Sequence, residues 1–241
     1  AFRVDFRDKG GVIPILNIKS GTGLIQISKF KIYSNMKRSL VFALIAVSFV
    51  SSSMMPKEKH NQLTKAEKKA GWELLFDGKS TNGWRAFKNR PCTSWEAVNG
   101  ELHCKASVKG GTDQHSDILF TKEYGNFELV IDWKIAKAGN SGIIYHVSED
   151  HDAPYLTGPE YQLIDDLGYP DKLEDWQKSG ADYAMYAPAS IAAKPVGEYN
   201  HTKIIFNNGH VEHWLNGVKV VEFQAWTDDW KDRKAISKWK D

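Results

Sequence analysis

Asn126-Phe-Glu-Leu-Val-Ile-Asp-Trp-Lys-Ile135 carries the clearest strand pattern of the chain. Phe127, Leu129, Ile131, Trp133 and Ile135 alternate with Glu128, Val130, Asp132 and Lys134. Successive side chains of a strand point to opposite faces, so this alternation buries one face and wets the other. A helix would instead place its apolar residues three or four apart.

The neighbouring segments repeat the pattern in shorter form. Trp95-Glu-Ala-Val98 and Glu101-Leu-His-Cys104 flank Asn99-Gly100. Asn-Gly favours a two-residue type I′ hairpin, because both turn positions need a positive φ. That register pairs Trp95 with Cys104 and puts Trp95, Ala97, Leu102 and Cys104 on one side. A second Asn-Gly, at Asn216-Gly217, joins residues 210–215 to residues 218–223. About nine or ten short strands can be counted, with no long amphipathic helix, and no internal repeat is visible. The expected fold is all-β: a two-sheet antiparallel β-sandwich of jelly-roll type.

The 241 residues carry 41% hydrophobic and 26% charged side chains, as an ordinary globular protein does. The formal net charge is only +2, and no Lys/Arg cluster is interleaved with aromatics, so no nucleic-acid partner is expected. Nine Trp and nine Tyr leave two readings open, core packing or a groove for pyranose faces. The two cysteines, Cys92 and Cys104, are not cross-strand partners in the hairpin register. A disulfide would need Arg90-Pro91 to fold back, and that alternative stays open.

The first methionine is Met36, and residues 1–35 show no sustained period. Met36-Lys37-Arg38 and the apolar run from Leu40 to Val50, followed by Ser51, Ser52 and Ser53, form a signal-peptide pattern over 36–55. Residues 1–35 then read as an upstream extension from a mis-called start. The alternative is a genuine extension with an uncleaved anchor. The apolar run falls short of the roughly 20 residues of a membrane helix. No cysteine follows it to carry a lipid. The expectation is an exported protein, periplasmic or extracellular, with no stable membrane span after signal cleavage. A polar linker over 56–70 holds a helical turn near residues 65–69, and the domain proper covers 71–241.

Two strands carry polar residues that a merely solvated strand would not need: Gly139-Asn-Ser-Gly-Ile-Ile-Tyr-His146 and Glu160-Tyr-Gln-Leu-Ile-Asp165-Asp166. Glu160 and Gln162 share one face of the second, and Tyr161 and Leu163 the other. Asn140, Gly142, Ile144 and His146 share a face of the first. Side by side, these strands make a polar floor. After them comes a long irregular region, 167–195, acidic and rich in Gly and Pro. A loop this long inside a compact domain serves as a lid or one wall of a site.

Six segments in order resemble one family. They are Gly71-Trp-Glu-Leu-Leu-Phe-Asp-Gly78 with Gly83-Trp84, Tyr124-Gly-Asn-Phe-Glu-Leu129, Gly139-Asn-Ser-Gly-Ile143, Glu160-Tyr-Gln-Leu-Ile-Asp165, Lys194-Pro-Val-Gly-Glu-Tyr-Asn200 and Trp214-Leu-Asn-Gly217. The family is the 3-keto-disaccharide hydrolase domain, with a concanavalin A-like jelly roll. Its pattern closes with a Leu-Gln-Asp-His-Gly segment and a final strand that this sequence stops short of, so the expected sandwich is missing a C-terminal strand and part of its site.

The resemblance implies a carbohydrate substrate, a 3-keto sugar glycoside. A ketone at C3 acidifies the C2 proton. A base removes it, the C1 substituent leaves, and water adds. Such a site needs a base, a stabiliser for the enolate oxygen and a donor for the leaving group. A divalent metal could supply the second, its identity unknown; no organic cofactor is implied. Glu160 is the candidate base or metal ligand, and His146 a base, acid or ligand. Asn140, Ser141 and Gln162 are candidates for bonding sugar hydroxyls, Glu198 and Asn200 for positioning substrate or tying a loop, and Trp214 for substrate binding. His115, His210 and His213 lack a second ligand at recognisable spacing. A paired-carboxylate glycosidase could draw on Glu160 with Asp132 or Asp165, but Asp165 falls on the opposite face from Glu160. From other classes stand a non-catalytic carbohydrate-binding module and a surface interaction domain. Fold alone does not choose among these.

Overall fold

The computed structural model describes residues 15–17, 25–34, 60–105, 111–112 and 114–240. In chain order the strands are β1 (Ile15–Asn17), β2 (Ile25–Tyr33), β3 (Trp72–Leu74), β4 (Trp84–Ala86), β5 (Trp95–Val98), β6 (Glu101–Cys104) and β7 (Ile118–Phe120). They continue as β8 (Phe127–Ile135), β9 (Asn140–Ile144), β10 (Glu160–Ile164), β11 (Asn200–Asn207), β12 (His210–Leu215) and β13 (Val218–Gln224). Two α-helices, α1 (Lys65–Ala70) and α2 (Asp228–Ile236), and three short 3-10 turns accompany them.

One sheet runs β10-β9-β1-β7-β4; the other runs β13-β12-β11-β8-β2-β6-β5, with β3 also on β2. All the strand pairs are antiparallel. The fold is the expected all-β sandwich. On β8 the residues Phe127, Leu129, Ile131, Trp133 and Ile135 are all buried in the main core, as their alternation demands.

Both expected hairpins form, with Trp95 opposite Cys104 and Leu215 opposite Val218. Their turns have positive φ at both positions, 52° and 80° at Asn99-Gly100 and 50° and 84° at Asn216-Gly217. A third Asn-Gly, at Asn208-Gly209, joins β11 to β12 with the same geometry and could have been read by the same signal. Cys92 and Cys104 are free thiols. Burial pushes the Cys104 thiol up to about 12, so it is not a reactive thiolate at neutral pH.

The N-terminal region departs from expectation. The described part of residues 1–35 contributes two interior strands. β1 lies between β9 and β7, and β2 lies between β8 and β6. The sequence Ile-Gln-Ile-Ser-Lys-Phe-Lys-Ile alternates as Ile25, Ile27 and then Phe30, Ile32, with the phase slipping by one at Ser28. The β2–β8 register shifts at that place, between Ile27 and Lys29. A bulge of this kind breaks the period and hides a strand from a period search. The stretch read as a linker is also tied down. Thr64 caps α1 in a reciprocal capping box, Glu67 of α1 pairs with Lys31, and Asn61 Nδ2 donates to Gly100 O at 2.7 Å. The signal-peptide pattern at 36–55 lies outside the described residues. No helix among the described residues is long and apolar enough to cross a membrane.

Two polar threads join the sheets through the core. Trp133 Nε1 donates to Thr202 Oγ1 (2.9 Å), Thr202 to the Tyr161 hydroxyl (3.0 Å), and Tyr161 to Trp214 O (3.2 Å). In the second, His213 Nδ1 lies 3.0 Å from Gly180 O. A carbonyl only accepts, so Nδ1 carries the proton. Nε2 is then the acceptor for the Tyr145 hydroxyl at 2.8 Å. Burial holds His213 down at about 4, in keeping with a neutral ring. This histidine anchors the loop segment that borders the site.

Candidate functional site

β10 is buried on both faces. Tyr161 and Leu163 belong to the inter-sheet core, which leaves Glu160 and Gln162 on the other face. There Gln162 pairs with Gly142 of β9 and Glu160 with Ile144. Glu160 lies across Gly142. A Cβ at that glycine would stand 2.2 Å from Glu160 Oε1, so only glycine lets the carboxylate lie flat on the sheet. Beside it, Gln162 Nε2 donates to Asn140 Oδ1 at 3.2 Å.

The free edge of β10 is covered by residues 180–183 of the acidic loop. Gly180 N donates to Gln162 O (2.9 Å), Gln162 N to Ala181 O (3.1 Å) and Tyr183 N to Glu160 O (2.9 Å). The expected loop wall is therefore present, as a short added strand edge. It brings Asp182 to the same cleft as Glu160. Both residues are buried, Glu160 3% and Asp182 1% exposed. Burial, and then the Glu160 charge, push the Asp182 carboxyl well above the usual carboxylate range. Its Oδ2 has no hydrogen-bond partner among the described residues. Two buried acids line one cleft, the kind of arrangement that acid–base chemistry uses.

The opposite wall comes from the C-terminal region, where Trp230 and Lys234 of α2 and the following Trp239 line the cleft with Tyr155 and Tyr183. Trp239 Nε1 donates to Tyr183 O at 3.0 Å, which fixes the indole.

Residues 71–240 match the family described as the 3-keto-alpha-glucoside-1,2-lyase-like domain. The chain belongs to this family. The 3-keto-disaccharide hydrolase of Bacteroides thetaiotaomicron is 37% identical over 185 residues, 70% of this chain. The chain spans 63% of that protein's length. Among solved structures, a "putative glycosyl hydrolase" from Parabacteroides distasonis is 43% identical, with a TM-score of 0.67. That likeness covers 75% of this chain and 84% of the other.

Within this member of the 3-keto-disaccharide hydrolase family, the residues singled out from sequence separate. Glu160, Gln162 and Asn140 come together. Ser141 is buried on the other face of β9. His146 does not line the cleft. β9 ends at Ile144, and His146 takes a left-handed φ of 58°, so the alternation that would place it beside Asn140 has already stopped. Its ring packs on Phe206 (3.9 Å) and Trp226 (5.4 Å), and burial lowers it to about 4. Asn200 ties a loop, its Oδ1 accepting from Lys194 N (2.7 Å) and Asn216 Nδ2 (2.8 Å). Glu198 is exposed. Trp214 lies under Lys203 Nζ (4.4 Å) and donates to Glu212 (2.6 Å), away from the cleft.

Among the described residues one group of three could hold a metal ion, His210, Glu212 and Glu222. It belongs to β12 and β13, and Lys219 already compensates its carboxylates. No third ligand joins Glu160 and Asp182 among the described residues. Sequence reading missed Asp182 as a site residue, and it missed the α2 wall. The helix did have a signal: Thr227 caps it, and Asp228-Asp229 fill its first turn.

Proposed function

We propose that this domain cleaves glycosides of 3-keto sugars by elimination and hydration, with Glu160 as base and Asp182 as acid. The observation that carries it is the burial of two carboxyls lining one cleft. The Glu160 carboxylate takes the C2 proton, and the C2–H electrons pass into the enolate of the C3 ketone. As the ketone re-forms, the C1–O bond breaks and Asp182 gives its proton to the departing oxygen. Water then adds across C1 and C2. Its oxygen goes to C1, one proton returns to Asp182, and Glu160, whose proton exchanges with solvent once the leaving group has gone, protonates C2. The sum is hydrolysis, and both carboxyls end as they began. The family's description as lyase-like and the name of the Bacteroides relative support this reading.

The chemistry depends on the ketone, because an unoxidised glycoside has no acidic C2 proton. A 3-keto-glucoside and the matching plain glucoside, offered side by side, should show release of the C1 substituent from the first alone. Equal cleavage of the plain glucoside would defeat the elimination reading.

A further inference from the structure

β12 and β13 carry a cluster of polar side chains on the outer face of their sheet, and the cleft does not use it. Val211, His213 and Leu215 of β12 are buried, so His210, Glu212 and Trp214 face outward. Glu212 stands directly opposite Glu222 of β13. Two carboxylates in that position repel each other unless a cation lies between them. Lys219 compensates the charge, but through Glu222 Oε2, and it stays 3.7 Å from Glu212 Oε1. Trp214 Nε1 donates to Glu212 Oε2 at 2.6 Å. Each carboxylate thus has one oxygen held by a donor from outside the trio. The other two oxygens, Glu212 Oε1 and Glu222 Oε1, each lie 3.3 Å from His210 Nε2. Burial works against charge on Glu212, but the bonds from Trp214 and His210 outweigh it and hold its carboxyl below the usual range.

The ligand atoms of the three residues all lie within 4.8 Å of one another. Zinc binds imidazole nitrogen and carboxylate oxygen at about 2.0–2.2 Å, and a tetrahedron of that size has edges of about 3.3–3.6 Å. The two separations at His210 have that length. We propose that His210, Glu212 and Glu222 bind a zinc ion, with water in the fourth position. The imidazole selects against calcium and magnesium, which take oxygen ligands. The bonds from Trp214 and Lys219 orient the two carboxylates, as outer contacts do around metal ligands. β13 is the end strand of its sheet, and the ion clips it to β12. None of the three residues lines the cleft, so the site stands apart from the elimination reading.

Zinc, calcium and magnesium chlorides, each titrated into the full chain, test it. Calorimetric titration should find one zinc site, which His210→Gln and Glu222→Gln each weaken by at least about tenfold. At about ten times its dissociation constant, zinc should raise Tm by about 3–6 °C. Calcium and magnesium should do neither. Both substitutions fall on the outer face, and without metal the variants should melt within about 2 °C of the unaltered protein. A lost zinc response then reports lost ligation and not unfolding. No zinc binding at about 1 mM metal would leave the trio as an ion-pair network and overturn the site. Zinc affinity unchanged in both variants would place the ion elsewhere and overturn it equally.

Discussion

Glu160→Gln should lower kcat on a 3-keto-glucoside by about a thousandfold, within the range that a positioned general base contributes. The substitution keeps the shape of the side chain lying across Gly142, so the floor of the cleft stays packed. It removes the charge that, after burial, raises the Asp182 carboxyl. The two acids therefore separate in a matched experiment. Glu160→Gln should slow every substrate alike, because C2–H cleavage is common to all. Asp182→Asn should slow substrates with poor leaving groups most, because a good leaving group needs little help from an acid. The folded state should survive both changes, since an amide of the same shape keeps the packing around each buried carboxyl. Steady-state rates and thermal unfolding of the two variants decide the matter. Near-wild-type turnover by Glu160→Gln would remove Glu160 as the base.

A chain that begins at His60 should lose cooperative unfolding altogether. That chain lacks β1 and β2, and neither is an edge strand. β2 pairs with β8 from Ile25–Ile135 to Tyr33–Glu128, with β6 over Ile25–Ile27 and with β3 over Lys31–Tyr33. Without it β8, β6 and β3 each lose a neighbour, and β9 and β7 lose β1. Each buried backbone group left unpaired costs about 1–3 kcal/mol, and a domain holds only about 5–15 kcal/mol in all. Ile32, fully buried in the core, goes too, as does the pairing of Lys31 with Glu67. Circular dichroism during heating should show no sigmoidal transition for the shortened chain. Adding a peptide of residues 15–34 should restore one. A shortened chain that melts cooperatively at the full-length temperature would show that β1 and β2 are dispensable.

Some of this was legible in the residues. The alternation along β8, the Asn-Gly turns, and the placing of Glu160 and Gln162 on one face of β10 all follow from local rules. What was not legible depended on interruptions and on distant pairing. β2 escaped because its alternation slips at Ser28. His146 would share the floor only if the alternation ran two residues past the end of β9, and its left-handed backbone stops it. Asp182 was one acid among several in a long loop. Only the pairing of residues 180–183 with β10, anchored by His213 on Gly180, sets it apart from the solvated acids. The α2 wall reaches the cleft through tertiary packing that its own sequence does not announce.

Elimination requires C2–H cleavage to precede departure of the C1 substituent. It is tested most directly by running the reaction on a 3-keto-glucoside in heavy water and reading C2 of the released 3-keto sugar by NMR, with the free 3-keto sugar in the same solvent as control. Elimination and hydration predict deuterium at C2 beyond that control, lost together with turnover in Glu160→Gln. A product that keeps its original hydrogen at C2 would point to direct displacement at C1 and contradict the account.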